Sequence, residues 1–527
     1  MWEIGFYALN NMSTNMYMML MMSISYFLVG VVGVGVVLAG SIITIMRIWD
    51  GVTDPFVGML VDHTNLKVLG KNRPFIIVGQ VILFGMTFMM FHLIPVIPSA
   101  GRFIAFILMY MVYIVGYTFQ CVVTKSAQSC LTNDPAQRPI FAMFDSVYLI
   151  VVFSLWYPVY LSTSLIPNFT LNMAQHAEKI GAMILQNPNL ANMLTEKDGI
   201  QILSGFYNPE MWQHMQLVFG AISAVMAVLA IIGLWRKDHT EFYGTGIETK
   251  VGFKDYLDVL AHNRGIQMLV VSAATDKLSM NMKGNSTVMV VLFGVLFGSY
   301  PLYASNSAIV AIPTLIATLL LMNFIARKMG QKKGLVVGTW GSLFFGAITA
   351  VMILVGANKA LMMLPTFSLT NLSTFANLVI PSNWSFFGVI WILVAVMLGA
   401  FNNMTSNIVI PMTADCADYE VYRSGRYVPG LMGTLFSFVD KMISSLATTF
   451  VAVVFAAVGF STMLPTAESP FSMGLLIAVL ICYIGAPVFG WICNLVAMHF
   501  YPLDKEKMLE VEEEIARIKS EAQQAKA

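Results

Sequence analysis

The chain has 527 residues, of which 57% are hydrophobic and only 11% are charged. A water-soluble domain is about half apolar and about a quarter charged, so this composition excludes an ordinary soluble enzyme. The 29 basic and 28 acidic residues leave a formal net charge of +1, so we expect no nucleic-acid partner. The composition predicts an all-α protein that crosses a lipid bilayer many times.

Long apolar runs predict twelve transmembrane spans, because a hydrocarbon core of ~30 Å needs about 20 apolar residues for each crossing. The runs fall into two groups of six. The first group covers approximately residues 6–30, 33–60, 74–96, 102–131, 140–166 and 213–235. The second group covers approximately residues 265–298, 303–327, 334–356, 384–412, 428–460 and 471–499.

Polar segments divide the chain further. Residues 167–212 form an insertion after the fifth span and include an amphipathic helical pattern, NMAQHAEKIGAMILQNPNLANML. We predict an N-terminal bundle over residues 1–235, a linker over 236–264, a C-terminal bundle over 265–503 and a charged, helix-prone tail over 504–527.

The basic residues of the loops predict the orientation in the membrane. Most of them follow even-numbered spans, whereas the loops after odd-numbered spans carry only Arg102, Lys179, Lys197 and Lys359. By the positive-inside rule, both termini and the linker lie in the cytoplasm, and the insertion lies outside.

Two groups of six spans joined by a basic linker resemble the architecture of the major facilitator superfamily. In that architecture the solute site lies near the bilayer midplane, between two bundles that rock around it. The number of spans alone is a weak signal, since other transporter folds share it, and no internal repeat aligns by eye.

The second span contains charges that a bilayer makes costly, and each such charge indicates a functional site by default. In RIWDGVTDPFVGMLVDH, the spacing places Arg47, Asp50 and Asp54 on one helical face. Two carboxylates and one guanidinium leave this face with one net negative charge, which can bind a monovalent cation or carry a proton. A buried ion-pair network that only holds helices together is the alternative.

Other spans carry polar stripes that are unlikely to face lipid. In the seventh span, the stripe contains Ser272, Asp276, Ser279, Lys283 and Ser286, with Lys277 beside it. In the eleventh, it contains Thr434, Ser437, Lys441, Ser444 and Thr448. Lys125 lies in the fourth span, and Asp145 begins the fifth. Hydrogen bonds between helices would explain the hydroxyl groups, but the lysines predict a solute site.

Three segments together resemble the glycoside–pentoside–hexuronide cation symporter family, which includes melibiose permease. They are RIWDGVTDPFVGMLVDHT with GKNRPFI, GYTFQ with LTNDPAQR, and MTADCADYEVYRSGRYVPGL with FSFVDKMISSLA. The third segment is the most specific, and the resemblance extends in order over nearly the whole chain.

The resemblance implies roles for particular residues. The family's paired acids, which bind the coupling Na⁺, Li⁺ or H⁺, fall on Asp50 and Asp54, and Thr53 falls on a position that often ligates the cation. The pocket lysine of the eleventh helix falls on Lys441. The resemblance also implies a bacterial cytoplasmic membrane and no cofactor besides the coupling ion.

Other positions depart from the family. The lysine–aspartate pair of the first span is replaced by Asn11 and Met12, and the arginine of the fifth span by Asp145. The aspartate of the fourth span falls on Val123, and the nearby tryptophan on Ala127. We therefore expect a solute other than melibiose.

Lys125, Lys283 and Lys441 are candidates to bind a carboxylate or another anion, as in a hexuronide. Pairing of Lys125 with Asp145 would instead make these charges structural.

The predicted function is cation-coupled symport of a sugar, glycoside or hexuronide by alternating access, driven by Na⁺ or H⁺. One alternative is a proton-linked or uncoupled carrier that exports a non-sugar solute. Another is a membrane-embedded enzyme or receptor that works through residues 167–212. No P-loop, nucleophile elbow or HExxH motif is present, so an enzyme is disfavoured.

Overall fold

The computed structural model describes residues 2–64, 66, 69–127, 131, 138–238, 261–367, 371–424 and 429–524. Each of the twelve predicted spans coincides with a helical segment. Spans 1 to 6 are Trp2–Met22 with Ile24–Val32, Val36–His63, Arg73–Val96, Ser99–Ser126, Arg138–Leu149 with its continuation to Phe169, and Pro209–Leu234. Spans 7 to 12 are Arg264–Lys283 with Ser286–Leu296, Pro301–Leu321 with its continuation to Met329, Gln331–Gly356, Phe386–Ser424, Pro429–Ala457 and Met473–Phe500.

Within the described residues, nine helices are long and apolar enough to cross a membrane, and the bent pair of span 1 makes a tenth. Span 10 is longer than predicted, because the polar sequence after residue 412 stays helical. Its last turns are held by the ion pair of Arg423 with Glu420, three residues earlier on the same face.

Spans 1 and 7 are interrupted at corresponding places. Span 1 breaks at Ser23 after a helix of 21 residues, and span 7 breaks at Gly284 and Asn285 after a helix of 20 residues. Each span then continues through a short helix and a wider helical turn. The hydroxyl groups of Ser23 and Ser286 are 3.0 Å apart, so the two breaks meet. The two halves therefore share a structural repeat that the sequence does not reveal.

Span 1 packs mainly on span 6, and span 7 on span 12, which assembles the two bundles. Span 2 packs along span 11 and joins one bundle to the other. This approach requires glycine at Gly40, because a Cβ atom there would lie 2.8 Å from both the Ala452 methyl group and the Thr448 carbonyl oxygen.

The insertion forms a small domain of its own. The predicted amphipathic helix is present as Met173–Gln186. Three short antiparallel strands, β1 (Leu171–Asn172), β2 (Leu194–Lys197) and β3 (Ile200–Leu203), pair in the order β1-β3-β2. Leu203 of β3 is opposite both Leu171 and Leu194. We call the end of the molecule that carries this domain the insertion end.

Arg102 attaches the insertion to span 1. Its buried guanidinium donates to the carbonyl oxygens of Val31, at 3.0 Å, and Gln186, at 3.2 Å. The Asn187 amide donates to Gly30 and Val31 at 3.1 and 3.2 Å. The insertion helix and the last turn of span 1 are thus one connected unit.

Both described ends of the linker are anchored by buried polar side chains. The Asp238 carboxylate accepts hydrogen bonds from the backbone N–H groups of Asn72 and Arg73, each at 2.9 Å. Asn263 caps the start of span 7 and donates to Glu420 of span 10 at 2.9 Å. Residues 239–260 of the predicted linker lie outside the described residues.

The C-terminal helix, Lys505–Gln524, packs against span 10. Val511 is fully buried, and the Tyr422 hydroxyl donates to Glu510 at 2.8 Å. These contacts lie at the end of the bundles that also carries the start of span 1 and the linker anchors. We call it the terminal end.

Candidate solute and cation site

A cavity of about 450 Å³ lies between the two bundles. Spans 1, 2 and 4 line one side of it, and spans 7 and 11 line the other. Its size falls in the range of small-molecule sites. The cavity lies between the bundles, where the solute site is predicted, and that role stays a prediction.

The charged centre of the site joins span 2 to span 11. Lys441 Nζ donates to Asp54 Oδ2 in a very short hydrogen bond and lies 3.5 Å from Asp50 Oδ2. The Thr118 hydroxyl donates to the other oxygen of Asp50 at 3.2 Å, and Arg47 Nη1 lies 3.8 Å from Asp50 Oδ2. The Asp50 side chain is buried, whereas those of Asp54 and Lys441 are 36% and 42% exposed. Of this charged group, Lys441 and Arg47 line the cavity, and the two carboxylates lie directly behind them.

The ammonium group of Lys441 occupies the place that a small monovalent cation would take between two carboxylates. It comes from the opposite bundle, so the same contact holds the bundles together. Thr53 lies on the same turn, but its hydroxyl donates to the Asp50 carbonyl oxygen at 3.1 Å. The oxygen of that hydroxyl keeps lone pairs for a cation.

Three tyrosines on span 4 complete this side of the site and are absent from the sequence prediction. Tyr110, Tyr113 and Tyr117 form a row with ring centroids 5.5 and 6.4 Å apart. They line a small pocket together with Arg47 and Asp50. The signal was the helical spacing of tyrosine in YMVYIVGY, which places all three on one face.

Two predicted site residues pair with each other elsewhere. The Asn11 amide donates to Asp145 Oδ1 at 2.5 Å, between spans 1 and 5, and neither residue lines the cavity. Lys125 lies on span 4, but its side chain is outside the described part of the structure, so its predicted pairing with Asp145 stays a prediction.

Most of the polar stripe of span 7 faces spans 10 and 12, and its last member, Ser286, lines the cavity. Ser272 donates to Asn494 at 2.7 Å, and Asp276 accepts from Ser406 of span 10 at 3.5 Å. Lys283 Nζ lies 4.8 Å from the centre of the Tyr483 ring. Asp276 and Lys283 do not line the cavity in this structure, and their predicted role in binding solute stays a prediction.

The neighbouring face of span 7 lines the cavity instead. Lys277, Asn281 and Gly284 follow one another at helical spacing and are all exposed to the cavity. Lys277 is only a neighbour of the predicted stripe, and Asn281 is absent from the sequence prediction. A helical pattern reveals which residues share a face, but not what that face contacts.

Val123, on which the family's fourth-span aspartate falls, does not face the acid pair. Val123 and Ala127 belong to a hydrophobic cluster with Tyr7, away from the acids. Cys121, two residues before Val123, lies close enough to Lys441 and Tyr117 to interact with them electrostatically. On a helix, a shift of two residues is a turn of about 200°, so the two positions face opposite sides.

The insertion end of the cavity is closed by uncharged contacts. The Tyr207 hydroxyl donates to the Leu464 carbonyl oxygen at 2.7 Å, and the Tyr26 hydroxyl donates to Pro465 at 2.7 Å. Burial raises the pKa of Tyr207 well above its ordinary value, so its hydroxyl stays protonated at working pH. Both closing hydroxyls therefore act as neutral donors.

The model of the MFS/sugar transport protein family matches residues 6–505. The chain belongs to this family. The predicted resemblance to glycoside and cation symporters is confirmed, as is the prediction of a multi-pass membrane transporter rather than an enzyme.

The named relatives are a sugar transporter and two symporters. The isoprimeverose transporter of Lactiplantibacillus pentosus is 22% identical over 505 residues, which are 95% of this chain and 88% of that protein. The uncharacterized symporter YjmB of Bacillus subtilis and the putative glycoside/cation symporter YagG of Escherichia coli are 28% and 31% identical over 118 residues. These two matches cover 22% of this chain and only about a quarter of each relative.

Solved structures share the fold. The nucleoside transporter NupG superposes with a TM-score of 0.56 at 12% identity, covering 95% of this chain and all of that one. A bacterial homologue of the human lysosomal transporter Spinster, in an inward-facing and unoccupied conformation, gives 0.54 at 14% identity, covering 96% and 97%. The predicted major facilitator fold, with two six-helix bundles, is confirmed.

Proposed function

We propose that the protein is a symporter that couples the movement of a monovalent cation, Na⁺ or H⁺, to the uptake of a sugar or glycoside. The contact of Lys441 with Asp50 and Asp54 carries the proposal. It puts an internal cation between two carboxylates and joins the two bundles at the same point.

An incoming cation competes with Lys441 for the two carboxylates. When it binds, the ammonium group is released and span 11 is no longer tied to span 2 by charge. Cation binding and bundle movement are then linked, and solute and cation favour each other's binding if both prefer the same state of the carrier. The membrane potential adds about 2.3 kcal/mol for each charge moved through 100 mV.

The family and the basic loops support a proposal for the solute and for the location. We propose a glycoside or an anionic sugar such as a hexuronide as the solute. Relatives named as a glycoside/cation symporter and an isoprimeverose transporter support this class. We also propose that the chain lies in a bacterial cytoplasmic membrane with the terminal end in the cytoplasm, because the basic loops favour that side.

The test is uptake by purified protein in lipid vesicles, with an imposed Na⁺ or proton gradient and a panel of labelled sugars. Asp54→Asn removes one carboxylate without changing its shape, and uptake should fall to the level of protein-free vesicles. The matched control is Glu178→Gln, which removes a charge from the exposed insertion helix and should leave uptake unchanged.

If uptake in Asp54→Asn still depended on the gradient, the acid pair would not be the site of cation coupling. If uptake by the unmodified protein were the same with and without either gradient, the uncoupled carrier would be favoured.

A further inference from the structure

The methionine-rich start of span 1 divides into two sets. Met12, Met16 and Met19 are at most 2% exposed and belong to the main hydrophobic core. Met18, Met21 and Met22 are partly exposed and line the central cavity. The division follows helical spacing, so one face of span 1 packs inside its bundle and another presents thioethers to the cavity.

Span 7 extends this apolar surface from the opposite bundle. Met280 lines the cavity between the polar positions Lys277 and Asn281, and Ile43 of span 2 adds a branched aliphatic group. Tyr110 also lines this cavity. We call Met18, Met21, Met22 and Met280 the methionine wall.

The rest of the cavity surface is rich in hydrogen-bonding groups. Asn281, Asn285, Ser444, Ser445 and Thr448 line it from spans 7 and 11. These amides and hydroxyls suit a sugar, which carries donors and acceptors around its ring. The cavity is therefore amphipathic, with one part suited to a sugar and one part unsuited to it.

A bare sugar would turn some of its hydroxyls toward thioethers, which are weak acceptors and no donors. Polar groups that lose water without gaining a partner cost about 1–3 kcal/mol each. An apolar substituent on the sugar removes this cost and gains from leaving water. Methionine is also flexible and polarizable, so it fits apolar and aromatic groups of varied shape.

We propose that the methionine wall is a subsite for an apolar aglycone, so that the preferred solutes are glycosides with an aryl or alkyl group at the anomeric carbon. This inference rests on the proposed transport of sugars or glycosides. It adds how the solute is oriented in the cavity. The sugar ring contacts the polar side chains of spans 7 and 11, and the aglycone contacts the methionine wall.

A purely structural role for the same methionines makes a different prediction. If they only pack against the other bundle in a second state of the carrier, substitutions would alter the handling of every sugar to the same extent. A subsite changes the affinity for aglycones and leaves the affinity for the sugar ring alone.

The test is binding to the full-length purified protein, measured by the ligand-induced rise of the melting temperature as a function of concentration. The probes are pairs of methyl and 4-nitrophenyl glycosides of glucose, galactose, xylose and glucuronic acid. For the sugar that binds, we expect the 4-nitrophenyl glycoside to bind about tenfold or more tightly than its methyl partner, in line with burial of one ring on an apolar surface.

Met21→Ser should remove most of this tenfold preference and leave the methyl glycoside within about twofold of its original affinity, because only the apolar contact is lost. Met21→Leu should retain the preference. Met280→Ser reports from the other bundle in case Met21→Ser does not fold. Met473→Ser is the control, since Met473 is 63% exposed and does not line the cavity.

Equal binding of methyl and 4-nitrophenyl glycosides would overturn the subsite and leave the proposed function intact. An equal loss of both partners in Met21→Ser and in Met280→Ser would also overturn it, in favour of the structural role. Binding of no glycoside of any kind would overturn the proposed function, and the subsite with it.

Discussion

The two bundles meet through chemically different contacts at the insertion end and near the membrane centre. At the insertion end, neutral hydroxyls of Tyr26 and Tyr207 donate to backbone carbonyls of the segment between spans 11 and 12. Near the centre, Lys441 joins Asp50 and Asp54 through charge. An ion can replace a charged contact, whereas a neutral hydrogen bond offers an ion little. Under the proposed coupling, a cation can therefore disrupt the contact at the acid pair but not the hydrogen bonds of the insertion end.

The largest expected effect comes from removing the positive charge of Lys441, which lies between the two carboxylates. Lys441→Gln eliminates the competitor for the acid pair, so Na⁺ should bind about tenfold more tightly, a modest factor because the lysine is 42% exposed and partly screened. Na⁺ titration of the melting temperature measures this, in a buffer that contains only large organic cations.

Lys179→Gln is the matched control, since Lys179 pairs with Glu210 on the insertion and lies far from the acids. Weaker Na⁺ binding in Lys441→Gln would contradict competition and make the lysine a supporting residue of the cation site.

A change of similar size, in the closure rather than in cation binding, is expected at the insertion end. Tyr207→Phe removes a hydroxyl that donates to the Leu464 carbonyl at 2.7 Å and accepts from the Leu464 N–H at 2.8 Å. The loss of such buried hydrogen bonds costs about 1–3 kcal/mol, which should open this end about tenfold more often. The measurement is the rate at which a membrane-impermeant maleimide labels a cysteine placed at Thr466, which is fully buried beside this contact, relative to protein without that cysteine.

Tyr160→Phe is the control, because the Tyr160 hydroxyl contacts only His214 among the described partners and does not cross between bundles. Unchanged labelling in Tyr207→Phe would show that the apolar packing of Phe206 against Tyr300 of the other bundle, rather than this hydroxyl, keeps the end closed.

The smallest effect is expected for an exposed ion pair far from the contact of Lys441 with Asp50 and Asp54. In the C-terminal helix, hydrogen bonds from Lys507 and Tyr422 lower the pKa of Glu510, so this contact is present above the ordinary pKa of glutamate and is lost as the pH falls through the lowered value. Because the pair is exposed to water, Glu510→Gln should change the melting temperature by no more than about 1 °C at neutral pH. A shift of several degrees, without a change in Na⁺ response, would mean that the C-terminal helix supports span 10 more strongly than its exposed charges suggest.

Much of the fold was predictable because apolar runs of membrane length are long and strongly patterned. The strands of the insertion were not predictable, because β1 has two residues and β2 and β3 have four each, too few for an alternating pattern to stand out. The repeat between spans 1 and 7 was hidden for another reason: Ser23 in one and Gly284 with Asn285 in the other interrupt the helix by different chemistry at the same place.

The candidate site was predictable where charge alone singled it out. Asp50, Asp54 and Lys441 are conspicuous because charges in a bilayer are rare, and the structure brings the three together. Charge alone did not reveal what surrounds Asp276, whose carboxylate accepts one hydrogen bond from Ser406 of span 10 and does not line the cavity. Asn281 and Tyr110 were missed because uncharged polar residues and tyrosines are common in membrane spans. Only the structure shows that these two line a cavity.

The buried anchors at the two described ends of the linker belong to opposite bundles. Asp238 is hydrogen-bonded to the start of span 3, whereas Asn263 is hydrogen-bonded to spans 7 and 10. A fluorophore beside either anchor should therefore keep a constant distance to a second fluorophore in its own bundle. A pair with one fluorophore beside each anchor would report a change in the relative position of the two bundles.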